Sequence, residues 1–291
     1  MWEGVYVMVT KDDLIDVFED TKQWYETDKN LKQAVANSIR NTVVFKEDNY
    51  PDYKATNEKN AEIRITKHKT LEAAYRLDEE FPKSKICILN FASATNAGGG
   101  VTKGSRAQEE CLCRTTTLYP VLNTRNNYKD FYNFHRNRHD VKYTDTCIYM
   151  PDIVAIKSDS TIPQRYDKED WLKLDVISCP APNLRANPSN YMNKTTGKAI
   201  KLTDNELLEL HKKRGKHILS VVASYNVDIL VLGAFGCGAF QNNPSIVAKA
   251  YYDILPEFKN CFKVIEFAIY CTERDTKNYF AFYNLLSKLK F

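Results

Sequence analysis

Lys85–Cys111, KICILNFASATNAGGGVTKGSRAQEEC, reads as a buried strand, a glycine loop and a helix that begins with two adjacent carboxylates. Ile86–Phe91 is an apolar run of strand length, and the helix is expected from about Ser105 to Thr117, with Glu109 and Glu110 near its start. Between them lies Asn96-Ala-Gly-Gly-Gly-Val101. Three consecutive glycines cost backbone entropy, and they are useful where a chain takes positive φ or lets a ligand touch its backbone. This order brings backbone N–H groups, small residues and titratable oxygens to one rim of a sheet. Such a rim suits a phosphorylated sugar.

Outward from that run the chain alternates. Strands are expected at Asp175–Cys179, Ile229–Leu232 and Val264–Ile269, and helices at Thr203–Ser224, Asn243–Leu255 and Arg274–Leu289. Upstream, Asp12–Thr42 has helical spacing, with Thr10 or Asp12 as its cap, Ile63–Thr66 alternates like a short strand, and Thr70–Phe81 is a helix closed by Pro82. Alternation of strand and helix predicts an α/β core with parallel strands and helices on both faces. Tyr119–Trp171, rich in Tyr, Asn and Arg, is expected to cover the sheet edge as irregular structure around Cys147–Ile156. Pro180–Lys201 is expected to be a surface lobe near a site. No linker separates two domains, so the expectation is a helical extension over residues 1–60 packed on a catalytic unit over 61–291.

In open α/β sheets ligands sit beyond the carboxyl ends of the strands. A second glycine loop occupies such a place: Gly233-Ala-Phe-Gly-Cys-Gly-Ala-Phe240 follows Val227–Leu232 and precedes the helix at Asn243. Its glycines and that helix start form an anion cradle. Neither loop matches the P-loop pattern, and the second lacks the full dinucleotide spacing. Phe235 and Phe240 flank the glycines where a nucleoside ring or ribose can lie, with a core role as the alternative for Phe235.

Adjacent helical residues project about 100° apart. Glu109 and Glu110 therefore cannot face each other across a glycosidic bond as a retaining or inverting pair does. Their roles must differ, one holding sugar hydroxyls and the other reaching the anomeric centre. Packing two like charges beside an apolar rim raises at least one pKa, while the helix start favours the charged form.

The whole chain sets wider bounds. In 291 residues Lys and Arg exceed Asp and Glu by four, and the cations are scattered, which disfavours a nucleic-acid backbone as partner except as a modified substrate. The start of the chain lacks a signal-peptide pattern and no stretch is long and apolar enough to span a bilayer, so a soluble, cytoplasmic protein is expected. The eight cysteines contain no C-x-x-C pair and are expected to be reduced thiols near the core. Cys111-Leu-Cys113 has the wrong spacing for a metal half-site, and no cofactor is expected.

At Gly98-Gly-Gly100, seven residues, then Gln108-Glu109-Glu110, the chain resembles the macrodomain superfamily and, within it, the microbial poly(ADP-ribose) glycohydrolases. Asn96 and Gly236–Phe240 fit the same pattern, and the likeness covers about Ile63–Leu289. It implies a macrodomain-like three-layer α/β/α fold with a mixed, largely parallel sheet. It implies hydrolysis of O-glycosidic ribose–ribose bonds in poly(ADP-ribose), with Glu110 as catalytic acid and Glu109 orienting the ribose hydroxyls. Asn96, Gly98, Gly99 and Gly100 then line the distal ribose, Val101 and Gln108 count among the substrate-binding residues, Gly236, Cys237, Gly238 and Ala239 wrap the diphosphate, and Phe240 presses on the ribose end. No metal or redox cofactor enters, and ADP-ribose carried on protein is the implied partner. The alternatives are a reader that binds ADP-ribose without turnover, or a hydrolase of another ADP-ribosyl conjugate. The adenine is expected among the sheet edge and the Tyr-rich segment.

Overall fold

A computed structural model describes residues 9–189 and 196–291. Positions 1–8 and 190–195 lie outside the described residues, and with them most of the chain start read for a signal peptide and the middle of the Pro180–Lys201 stretch. Two helices come first, α1 (Lys11–Thr27) and α2 (Lys29–Asn41). Thr10 and Asp13 form a capping box on α1, and the Asp28 carboxylate accepts from Asn30 and Leu31 N–H to start α2. Then come β1 (Val43–Phe45), β2 (Glu62–Thr66), α3 (Thr70–Glu80), β3 (Ile86–Phe91) and α4 (Gln108–Thr115). Three short helices follow, α5 (Leu118–Leu122), α6 (Arg125–Asn127) and α7 (Asn133–Arg138), with a π-turn at Tyr128–Tyr132. The chain closes with β4 (Cys147–Ala155), β5 (Leu172–Cys179), α8 (Asp204–Ser224), β6 (Ile229–Leu232), α9 (Pro244–Ile254), β7 (Val264–Ala268) and α10 (Lys277–Leu286).

The strands form one seven-stranded sheet in the order β1-β4-β5-β3-β6-β7-β2. Five neighbours, β5, β3, β6, β7 and β2, run parallel, while β4 is antiparallel to β5 and β1 to β4. Period-two alternation splits each central strand between two cores. Cys87 and Leu89 of β3, with Leu230 and Leu232 of β6, pack under Ile218, Val222, Val247, Tyr251 and Phe282 of α8, α9 and α10. Ile86, Ile88, Ile229 and Val231 face the opposite layer, which holds Leu71, Leu77, Leu112 and Phe18 from α3, α4 and α1. The result is the expected three-layer α/β/α arrangement. No helix of the described residues is long and apolar enough to cross a membrane.

Three expectations are corrected. Cys147–Ala155 is a strand, not irregular structure: Pro151 interrupts its apolar run, and the ladder absorbs it in a bulge between Met150 and Ile153, where Asp152 takes φ 59° and donates its N–H to Asp175. Tyr119–Arg138 is largely helical, because Leu118, Val121, Leu122, Phe131 and Tyr132 all find the core despite their uneven spacing. Finally, α4 starts at Gln108 rather than Ser105. Gly104 stands in the left-handed region at φ 67°, packed so closely on α1 that a Cβ there would lie 2.4 Å from the Lys11 carbonyl oxygen.

Candidate active site

The parallel strands put the carboxyl ends of β3, β6, β7 and β2 side by side, and a cleft of about 900 Å³ opens over them. The two glycine loops, separated by more than a hundred residues in sequence, face this cleft from adjacent strands.

The first loop is built around the carboxylates. Gly98 and Gly99 take φ 65° and 57°, and Asn96 C=O accepts from Gly99 N–H at 3.1 Å. A Cβ on Gly99 would lie 2.5 Å from Glu110 Oε1, so the residue is glycine for two reasons, its backbone region and the room it leaves. Gly100 N–H donates to Glu110 Oε1 at 2.8 Å. Glu109 turns the other way: Ser93 N–H donates to its Oε2 at 2.8 Å and Asn90 Nδ2 to its Oε1 at 3.2 Å. Helical divergence thus turns Glu110 to the glycine loop, while Glu109 reaches the strand end and stays in touch with Gly98 and Gly99 of the loop. The loop amides serve the glutamates rather than an anion.

Both glutamates are buried, yet they differ in what they have left to offer. Burial, reinforced by the Glu110 charge, holds Glu109 well above the usual carboxylate range, against the pull of the N–H groups it accepts. Glu110 Oε2 has no hydrogen-bond partner among the described residues, and the side chain lines the cleft. A carboxylate oxygen that no protein group partners is open to a group from outside the fold, water or ligand.

The second loop has the opposite economy of amides. Gly236 takes φ 77°, and its missing Cβ makes room for Ala181 and Asn242. The N–H groups of Gly236, Gly238, Ala239 and Phe240 find no acceptor among the described residues, while all four residues line the cleft. A Cβ on Gly238 would meet nothing within 4 Å. The loop holds its shape through Asn242, whose Nδ2 donates to Pro182 C=O at 2.7 Å and Gly236 C=O at 3.0 Å. His211 Nε2 lies 2.8 Å from Asn242 Oδ1; burial holds that imidazole down at about 3, so it is neutral and donates from Nε2.

The other expected site residues divide. Asn96, Gly99, Gly100, Gln108, Glu109, Glu110, Gly236, Gly238, Ala239 and Phe240 line the cleft. Gln108 uses its amide on the protein: Phe91 N–H donates to its Oε1 at 2.8 Å, and its Nε2 donates to Leu89 C=O at 2.8 Å, tying α4 to β3. Asn96 Oδ1 accepts from Arg136 Nη2 at 2.9 Å. Val101 points into the core, Gly98 backs onto the Tyr119 ring, and Cys237 packs against the core of the α8 side, where burial pushes its thiol up. Phe235 is a core plug between Phe91 and His211, whereas Phe240 stays half-buried beneath the Arg185 guanidinium, 5.6 Å from its ring centre.

Sequence reading missed Asn242, Tyr143, Arg185, Lys69 and Tyr270. Only Asn242, as a polar residue inside a glycine loop, carried a signal; the others reach the cleft from distant segments. Tyr143 does so from a turn at φ 54°. Among the described residues no cluster of His, Cys, Asp and Glu could hold a metal ion.

Comparison with known proteins gives this geometry a family. A family model described as "Microbial-type PARG, catalytic domain" matches residues 15–158, a span that includes the first glycine loop and both glutamates. The poly(ADP-ribose) glycohydrolase of Thermomonospora curvata is 26% identical, with a TM-score of 0.79 over 94% of this chain and 99% of that one. Its complex with the inhibitor ADP-HPD is similar at 25% identity and a TM-score of 0.75. The Deinococcus radiodurans enzyme in complex with ADP-ribose is 28% identical, with a TM-score of 0.74 over 88% of this chain and 98% of that one. No curated protein matches the sequence. Over residues 15–158 the chain matches the microbial-type poly(ADP-ribose) glycohydrolase catalytic domain, and it shares the fold of these bacterial enzymes over nearly their whole length.

Proposed function

We propose that this protein hydrolyses the ribose–ribose bonds of poly(ADP-ribose) and releases ADP-ribose, with Glu110 as the group that moves the proton. The observation that carries the assignment of roles is the unpartnered Glu110 Oε2, held at the cleft by the bond from Gly100 N–H to the other oxygen. ADP-ribose laid along the row of strand ends has its reacting ribose over β3, its diphosphate on the free amides of Gly236–Phe240, and its adenosine over the ends of β7 and β2. Ile269, Tyr270 and Lys69 line that end, which supports a seat for the adenosine at the sheet edge.

In this arrangement Glu110 Oε2–H protonates the departing ribose oxygen as the anomeric C–O bond breaks. Positive charge develops at the anomeric carbon beside the Glu110 carboxylate that the proton transfer leaves. A water molecule then adds there and returns a proton to Glu110. Glu109, anchored by Ser93 and Asn90, is placed to hold ribose hydroxyls. ADP-ribose or poly(ADP-ribose) attached to protein is the expected substrate, nucleic acid is expected only as a modified substrate, and the eight unpaired cysteines support a reducing, cytoplasmic setting.

The test is release of ADP-ribose from poly(ADP-ribose) and from mono-ADP-ribosylated protein. Glu110→Gln keeps the acceptor for Gly100 N–H but removes the proton, so turnover should fall by roughly 10²–10⁴-fold while ADP-ribose binding persists. Unchanged turnover in that variant overturns the role.

A further inference from the structure

Beyond the adenosine end of the cleft the surface is aromatic and cationic. Tyr270 and Asn278 line the cleft, yet Tyr270 is also 61% exposed, the highest among the large exposed hydrophobic side chains. Lys69 Nζ lies 5.5 Å over its ring. From there the surface runs onto α10, where Tyr279 and Tyr283 stack one helical turn apart with ring centres 5.5 Å apart and planes 21° apart. Phe280 packs edge-on against Tyr279. Phe280 and Tyr283 are 46% and 44% exposed. Lys67 Nζ lies 5.0 Å over the Tyr279 ring. Its neighbours His68 and Lys69 face the carboxylates of Glu266 and Asp159, but Lys67 enters no ion pair of the described residues.

Exposed aromatics gathered on one face mark an interaction surface. Aromatic rings interleaved with ammonium groups are the means by which proteins hold single strands of nucleotides, the rings stacking on bases and the cations meeting phosphates. The surface is continuous with the cleft at the end where adenosine lies. We infer that Lys67, Tyr279 and Tyr283 form a second binding track for poly(ADP-ribose), taking the adenine and pyrophosphate of the unit that follows the one in the cleft. This rests on the proposed hydrolysis and on the placement of adenosine over β7 and β2. In the polymer, chain continues past an adenosine only when its unit is internal, so the track admits internal units and allows cleavage within a chain.

The experiment uses the full chain and the double variant K67A/Y283A, which alters neither the cleft nor a core side chain. The substrates are the dimer of ADP-ribose and long fractionated poly(ADP-ribose). The unaltered protein should release free oligomers early from long chains. In the variant kcat/KM on long chains should drop at least about tenfold, in line with the loss of one stacked base and one cation, while the dimer is cleaved as before. Equal effects on both substrates, no effect on long chains, or absence of oligomers at all times overturns the track. Binding of long chains and of the dimer to E110Q, with and without K67A/Y283A, keeps this question apart from catalysis. Preference for long chains that vanishes in the triple variant supports the track even if no turnover is found. Single-stranded DNA that competes as well as the polymer overturns the assignment to poly(ADP-ribose).

Discussion

A carboxylate that burial keeps protonated leaves a mark on stability. The Glu109 pKa is raised in the folded chain, so the folded state holds a proton that the unfolded state has released. Its stabilising contribution is complete below the ordinary carboxylate pKa and is lost as pH rises toward the folded value. Between those limits stability falls by up to about 1.4 kcal/mol per pH unit. In Glu109→Gln that component disappears, so thermal melting of the variant should depend less on pH above the ordinary carboxylate range. A melting profile that runs parallel to that of the unaltered protein contradicts this account. Gly238 separates binding from folding in a similar way. A Cβ there meets no protein atom and its backbone is not left-handed, so Gly238→Ala should change stability by less than ~0.5 kcal/mol. The added methyl stands where ligand must approach the amides, and calorimetry should show affinity for ADP-ribose reduced about tenfold or more, equivalent to ~1.4 kcal/mol.

Helix α4 has no side-chain N-cap, since Ala107 occupies that position. What fixes its start is Gln108, which links it to Phe91 and Leu89 at the end of β3 and to Thr70 Oγ1 of α3 at 3.2 Å. Gln108→Ala strands a backbone donor and an acceptor, at a cost of about 1–3 kcal/mol. It also frees the helix that aims both glutamates. Denaturant unfolding should show that loss, and kcat should fall more than KM rises because the displaced group is Glu110 rather than the second glycine loop. At this scale the sequence was readable wherever one element carried its own signal: the limits of β3 and β6 match the expectation residue for residue, α8 differs by one residue at its start and α9 by one residue at each end. It was not readable at β4, which lies in a stretch rich in Tyr, Asn and Arg, with Pro151 inside the strand, and is held by pairing with β5.

The first two helices belong to the molecule as a whole because they brace α4 from behind. Phe18 is buried in the core that contains Leu112 and Cys113, Thr21 Oγ1 donates to Arg114 C=O, and the buried Lys157 donates to Val17 C=O at 2.8 Å and pairs with Asp20 at 2.7 Å. Burial lowers the Lys157 pKa, and Asp20 counters it. Phe18→Ala opens a cavity beneath α4 and should cost about 3–5 kcal/mol. Chemical denaturation should detect it as a lower midpoint with activity lost earlier than in the unaltered protein.

The sequence by itself determined the alternation of strands and helices, the glycine loops and the divergence of Glu109 from Glu110, because each depends on residues close together in the chain. Steric freedom at glycine and the turn of a helix are local properties. Only the tertiary structure decided that the amides of the first loop hold glutamates while those of the second remain open, that Gln108 faces the protein and that Asn242 shapes the second loop. Those outcomes depend on which hydrogen-bond partners meet across segments far apart in sequence, and strand order, absent from any local pattern, sets that meeting.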